Sequence, residues 1–276
     1  MYEAYWQLSE KPFPYRVPVS ECCSTATQRA ALLRLQYCVE NGAGCALVLG
    51  ESGLGKTALL RQLEAGSTSL RPFCYMAFPA LQPVEQLRLL SGMLSDVSAT
   101  DSLCADQILQ EITGSLRRWT TAGQHPVICF DDAELISTSC MTDVILPLLN
   151  LRDVDEGINL TMILAGQPIL SSHLSRQPQL RERVAVTATL GGMTQQEVRD
   201  YVRHRIAACG GSESVFSEQA LLRLHHVSQG YPRRLNRLCD MALLVGCADE
   251  LSVIEAPLID SVGTELLSLI HISEPT

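Results

Sequence analysis

Gly50-Glu51-Ser52-Gly53-Leu54-Gly55-Lys56-Thr57 decides the fold of this chain. The stretch satisfies the phosphate-loop pattern G-x-x-x-x-G-K-[ST] at every fixed position. Its surroundings agree. Cys45–Leu49, just before it, is an apolar run with the length of a buried strand. Thr57–Leu63, just after it, repeats apolar residues at helical spacing. A strand, a glycine-rich turn and a helix start form an anion trap, because main-chain N–H groups gather there and the helix dipole adds partial positive charge. The pattern assigns phosphate contacts to Gly50, Glu51, Ser52, Gly53, Leu54, Gly55, Lys56, Thr57 and Ala58. Lys56 would reach the β- and γ-phosphates, and the Thr57 hydroxyl would hold Mg²⁺. Glycine is needed where a Cβ would block the triphosphate.

Composition bounds what surrounds this loop. A chain of 276 residues makes one large domain or two smaller ones. Hydrophobic residues at 46% supply a buried core, and a formal net charge of -9 argues against a free-standing basic nucleic-acid binder. No apolar run approaches the ~20 residues that cross a bilayer. Met1–Trp6 lacks the basic start and apolar stretch of a signal peptide, so a cytoplasmic protein is expected. The 11 cysteines are scattered, several of them in apolar segments (Cys45, Cys74, Cys129, Cys239), with no C-x-x-C pair. They read as reduced thiols, with Cys22-Cys23 a vicinal pair on a loop.

Along the chain, residues 1–23 form an aromatic, proline-rich lead-in. Helical patterns cover 25–40, 83–95, 104–121 and 138–150. Strands are predicted at 45–49, 73–78, 127–131, 160–165 (stopped by Gly166) and 184–188. Strands alternating with helices imply a parallel sheet covered on both faces. After Gly191-Gly192 the strand signal ends. Helices are predicted at 194–209, 217–228, 232–248 and 256–266. The division expected is a lead-in at 1–23, a nucleotide-binding α/β domain at 24–190 and a helical lid at 191–266. Residues 267–276 resemble the in-frame translation of a transposon-end sequencing adapter, which implies that the natural protein continues beyond Leu266.

A second motif completes the nucleotide site. Val127–Phe130 followed by Asp131-Asp132-Ala133-Glu134 reads as a Walker B strand, with Asp131 as the Mg²⁺ carboxylate. The following acidic residue, Asp132, is placed to polarise the attacking water, but its side chain is one methylene shorter than glutamate. Glu134 is the substitute. Gln167, just past the fourth strand, is the candidate sensor between metal and γ-phosphate. Two arginine clusters are candidates for phosphate contact: Arg181 and Arg183 before the fifth strand, and Arg233, Arg234 and Arg237 on a later helix.

With these motifs the chain resembles AAA+ ATPases of the general secretion pathway protein A (ExeA-like) family, which overlaps the TniB-type transposition ATPases. The specific likeness lies in Met1-Tyr2 with Tyr5–Leu8 and Lys11-Pro12-Phe13, in Gln28–Leu32, in Gly166-Gln167-Pro168, and in the helix from Gly230 to Asp240. The fold class implied is α/β: a P-loop NTPase (AAA+) with a three-layer parallel sheet and a C-terminal helical lid domain. The resemblance makes Arg233 a sensor reaching the γ-phosphate from the lid. It makes Arg183 the finger acting on a neighbour's nucleotide, with Arg181 in reserve, and it places Gln28–Leu32 near adenine. Relatives read Asp-Glu where this chain reads Asp131-Asp132, which bears on hydrolysis more than on binding. Tyr15–Glu21 replaces an Asp-Pro-Arg-Phe-like segment of the relatives.

The implied function is ATP binding and hydrolysis with Mg²⁺ by a homo-oligomer, a ring or filament. It would assemble or remodel an unidentified protein partner of the secretion type, from the cytoplasm or the inner face of the membrane through a further C-terminal segment. The alternatives are a DNA-associated transposition regulator, which the acidic balance disfavours, and a slow nucleotide switch limited by Asp132.

Overall fold

The computed structural model describes residues 1–14, 25–66, 70–95 and 103–271. Cys22-Cys23, the Tyr15–Glu21 segment and the last five residues of the adapter-like stretch lie outside the described residues. Contacts divide the chain into two compact units, one of Ala26–Ser52 with Lys56–Leu190, the other of Met1–Thr25, Gly53–Gly55 and Gly191–Thr276.

The first unit is a sheet between helices. Its elements run α1 (Ala26–Glu40), β1 (Cys45–Leu49), α2 (Lys56–Ala65), β2 (Phe73–Met76), α3 (Pro83–Leu94), α4 (Ala105–Thr121), β3 (Val127–Phe130), α5 (Thr138–Cys140), α6 (Leu146–Val154), β4 (Thr161–Gly166), α7 (Ile169–Ser175), α8 (Pro178–Arg181) and β5 (Val184–Thr189). The strands form one five-stranded sheet in the order β2-β3-β4-β1-β5. Every pairing is parallel, so all five C-terminal ends lie along one edge. The central strands are almost wholly apolar, the buried Thr161 at the start of β4 being the exception, because helices cover both their faces. One face, with Cys74, Met76, Ile128, Phe130, Met162 and Leu164, packs on Leu87, Leu90, Ile108, Ile112 and Leu148.

Several expected boundaries move, each for a local reason. β4 runs through Gly166 rather than stopping before it, since Gly166 pairs with Leu49 and accepts a bond from Gly50 N–H at 3.0 Å. β2 stops at Met76 rather than Phe78, and β3 at Phe130 rather than Asp131. The helix expected at 138–150 is interrupted by a π turn at Met141–Ile145 just before Pro147. Proline offers no N–H to the ladder, and a widened turn absorbs the mismatch. The short α7 and α8 lie in a stretch where the sequence shows no sustained periodicity.

The second unit is helical: α9 (Gln195–Ala208), α10 (Glu218–Ser228), α11 (Pro232–Ala248) and α12 (Ala256–His271). Here α12 continues past the expected end at 266. Thr194 and Glu197 form a reciprocal capping box that starts α9. Gln229 and Gly230, both at positive φ, end α10. A Cβ at Gly230 would lie 2.2 Å from the Met193 carbonyl oxygen, so only glycine fits. The lead-in packs within this unit. Trp6 Nε1 donates to the Leu243 carbonyl at 2.9 Å, Tyr2 OH donates to Asp240, and the fully buried Arg205 donates through Nε to the Pro12 carbonyl at 2.7 Å. The loop tip Gly53–Gly55 groups with this unit as well, and Arg233 N–H donates to the Gly53 carbonyl at 3.3 Å.

Candidate functional site

The C-terminal edge of a parallel sheet is where strand-end loops meet helix starts, and such edges bind ligands. The loop after β1 turns through Gly53 (φ 86) and Gly55 (φ 90), a left-handed backbone that suits glycine. Lys56 opens α2 and is 6% exposed. Its Nζ donates to the Gly50 carbonyl at 2.8 Å and to the Glu51 carbonyl at 3.4 Å. The ammonium is thus bent back over its own loop, with one of its three protons beyond these two bonds. First-turn amides of a helix lack intrahelical acceptors, so the start of α2 sets such amides next to the Lys56 ammonium along the chain.

Asp131 lies just past β3 and is 6% exposed. Its Oδ2 accepts from Thr57 Oγ1 at 2.5 Å and from Tyr75 OH at 2.5 Å, and its Oδ1 accepts from Asp132 N–H at 3.1 Å. Thr57 follows β1 and Asp131 follows β3, and β4 lies between those strands. The bond therefore spans two strand positions. A hydroxyl and a carboxylate held together are hard oxygen donors of the kind Mg²⁺ takes. Thr57 and Asp131 are donors that would suit that ion.

Asp132 adopts φ 48, ψ 43 and is exposed at the start of a short 3-10 turn, Ala133–Leu135. Its side chain makes no capping bond to that turn. Glu134 lies within the turn, where its Oε2 accepts the Gln167 N–H at 3.1 Å. Gly166 faces the same oxygen. Asp132, Glu134 and Gln167 therefore all follow adjacent strands at the edge that carries Lys56, Thr57 and Asp131.

The arginines are placed differently. Arg183 directly precedes β5, and Val184 pairs with Cys45, the first residue of β1. It thus lies at the opposite, N-terminal edge of the sheet, paired with Asp153 and donating to the Leu149 carbonyl at 3.5 Å. Arg181, the last residue of α8, is exposed. Arg233 belongs to the helical unit, in the first turn of α11, where the neighbouring Arg234 guanidinium stacks 4.7 Å over the Tyr231 ring. Gln28 and Ala31 lie on the buried side of α1.

Sequence reasoning missed Tyr75. It sits on β2, and only the pairing of β2 with β3 brings its hydroxyl to Asp131. A lone tyrosine in a short strand carries no signal of this.

Comparison with known proteins bears on the family and the fold. A family model described as an AAA domain matches residues 39–174. General secretion pathway protein A of Aeromonas hydrophila is 31% identical over 254 residues, which cover 90% of this chain and 45% of that protein. The chain therefore spans less than half of that relative's length. Among solved structures, Cdc6p from Pyrobaculum aerophilum superposes with a TM-score of 0.67 at 17% identity, covering 91% of this chain and 68% of that one. The Aeropyrum pernix ORC2 protein, solved as ADPNP-ADP complexes, gives 0.61 at 17% identity, covering 87% and 66%. At such identities the solved structures establish the fold alone.

Proposed function

We propose, from the premise that this chain belongs to the AAA+ ATPases of the ExeA-like kind, that it binds ATP with Mg²⁺ at the loop after β1 and hydrolyses it. The observation that carries this reading is the bond from Thr57 to Asp131 beside the buried Lys56 ammonium. Lys56 neutralises phosphate charge as a buried point cation, and the amides at the start of α2 supply further donors. Thr57 keeps its proton on Asp131 and has lone pairs to offer the cation. When bound, Mg²⁺ neutralises charge on the phosphates and helps to orient the terminal one. Asp132 or Glu134 orients the attacking water, and Gln167 stands by them. Arg233 and Arg183 add positive charge, the first from the chain's own lid and the second from a neighbouring copy in a ring or filament. By likeness to general secretion pathway protein A, the work done is assembly or remodelling of a secretion-type partner. The decisive experiment compares wild type with Lys56→Ala. Wild type should bind a fluorescent ATP analogue and release phosphate, and Lys56→Ala should do neither. Normal ATP affinity in Lys56→Ala would overturn the assignment.

A second reading, a slow nucleotide switch, is favoured by Asp132. Its short carboxylate sits exposed on a left-handed residue, a poor platform for holding water in one place. Tight binding with turnover far below one per minute would support it.

A further inference from the structure

The three donors around Asp131 are not equivalent. Thr57 belongs to the phosphate loop and Asp132 to the turn that follows Asp131. Tyr75 belongs to neither. Along β2, Cys74 and Met76 are buried in the core, while Tyr75 alternates to the other face and is only half-buried. Its partner in register is Cys129, two residues before Asp131. That register sets the phenol oxygen 2.5 Å from Asp131 Oδ2.

We propose that Tyr75 is a positioning residue for the cation site, fixing the plane of the Asp131 carboxylate so that Thr57 and Asp131 present their oxygens together. The inference rests on the nucleotide-site reading above. A carboxylate at a strand end can turn about two side-chain bonds. Thr57 donates to a single oxygen, Oδ2, through a hydroxyl whose lone pairs also serve the cation, so its position answers to both. The Asp132 N–H fixes only the other oxygen, from a residue in an uncommon backbone region. Tyr75 supplies a donor with no second duty, on the rigid backbone of a paired strand. Outer partners that orient metal-binding oxygens typically matter by ~10–100-fold in metal affinity.

The test uses the full chain and a fluorescent ADP analogue, titrated with MgCl₂ and, separately, in EDTA. Tyr75→Phe keeps the ring and removes only the hydroxyl, and a thermal melt checks its folding. The Mg²⁺ concentration for half-maximal enhancement of nucleotide binding should rise about 10-fold, with binding in EDTA unchanged. In an Asp131→Asn background the same substitution should add no further shift, since its effect passes through the carboxylate. An unchanged Mg²⁺ requirement, or an equal shift in both backgrounds, would overturn the proposal. If wild type itself shows no Mg²⁺-dependent nucleotide binding, the reading of the site fails first and the proposal goes with it.

Discussion

The main-chain N–H of Gln167 donates to Glu134 Oε2 at 3.1 Å and so fastens the tip of β4 to the turn after β3. Gly166 makes the approach possible, because a Cβ there would lie 2.5 Å from the same oxygen. Gly166→Ala should therefore push the Glu134 carboxylate aside. In chemistry governed by positioning, a displacement of ~1 Å can cost ~10²-fold in rate, and a loss of that order is expected. Nucleotide affinity should change little. Phosphate-release kinetics beside a nucleotide titration separate the two, and full turnover in Gly166→Ala would exclude Glu134 from the site.

Asp132 is one of four non-glycine residues at positive φ among the described residues. Asp and Asn tolerate this region better than longer or branched side chains. Asp132→Val should lower stability by about 1–3 kcal/mol through backbone strain. Asp132→Gly should be close to neutral, because the steric relief of ~1–2 kcal/mol is offset by ~0.5–1 kcal/mol of chain entropy. Denaturant melts of both variants check the ordering. Asp132→Glu, which restores the missing methylene, should raise steady-state ATPase if carboxylate reach limits the rate. An unchanged rate removes the slow-switch reading.

Arg183 and Asp153 form an ion pair at the surface, 30% and 58% exposed. Such pairs contribute ~0–1 kcal/mol, so Asp153→Asn should barely move the melting midpoint. The catalytic expectation for Arg183 is much larger. Arg183→Ala should reduce turnover by ~10³-fold or more while leaving nucleotide affinity intact. Mixing Arg183→Ala with Lys56→Ala subunits gives the diagnostic result. Interfaces that combine the intact loop of one with the intact arginine of the other should recover activity. No recovery on mixing counts against action in trans.

Burial pushes the Cys45 and Cys74 thiols up to about 12, from an ordinary value of 9.0. With the folded value raised, their contribution to stability is fully present below the unfolded pKa and is lost as pH climbs through the folded one. Between those limits the unfolded chain releases protons that the folded chain retains, which favours unfolding. Urea midpoints should fall steadily above the ordinary thiol value, and Cys45→Ala with Cys74→Ala should flatten that decline. Any loss of stability confined to acid would contradict this account.

Much of the candidate site was legible because its signals are local. The β1–loop–α2 motif and the apolar run ending at Asp131 each need only neighbouring residues to be recognised. What sequence could not supply was adjacency. Glu134 and Gln167 were each singled out, yet their bond follows from β3 and β4 lying side by side. Tyr75 acquires a neighbour of interest only through the pairing of β2 with β3. The lead-in looked like a separate element, although Tyr2 and Trp6 find partners at Asp240 and Leu243. The π turn at Met141–Ile145 had no counterpart in the helix expected at 138–150, because how a helix absorbs Pro147 depends on what packs around it.

Because every strand runs the same way, the sheet has a polarity like that of an arrow. The phosphate loop is at its head and Arg183 at its tail, about 15 Å apart at ~3.3 Å per residue along β1. A side chain does not bridge that distance, so one copy cannot serve as its own donor of Arg183. Any two copies that join tail to head use two unlike faces, and each union leaves one of either kind exposed at its ends. An assembly built by that rule has only two outcomes: it closes on itself, or it keeps growing.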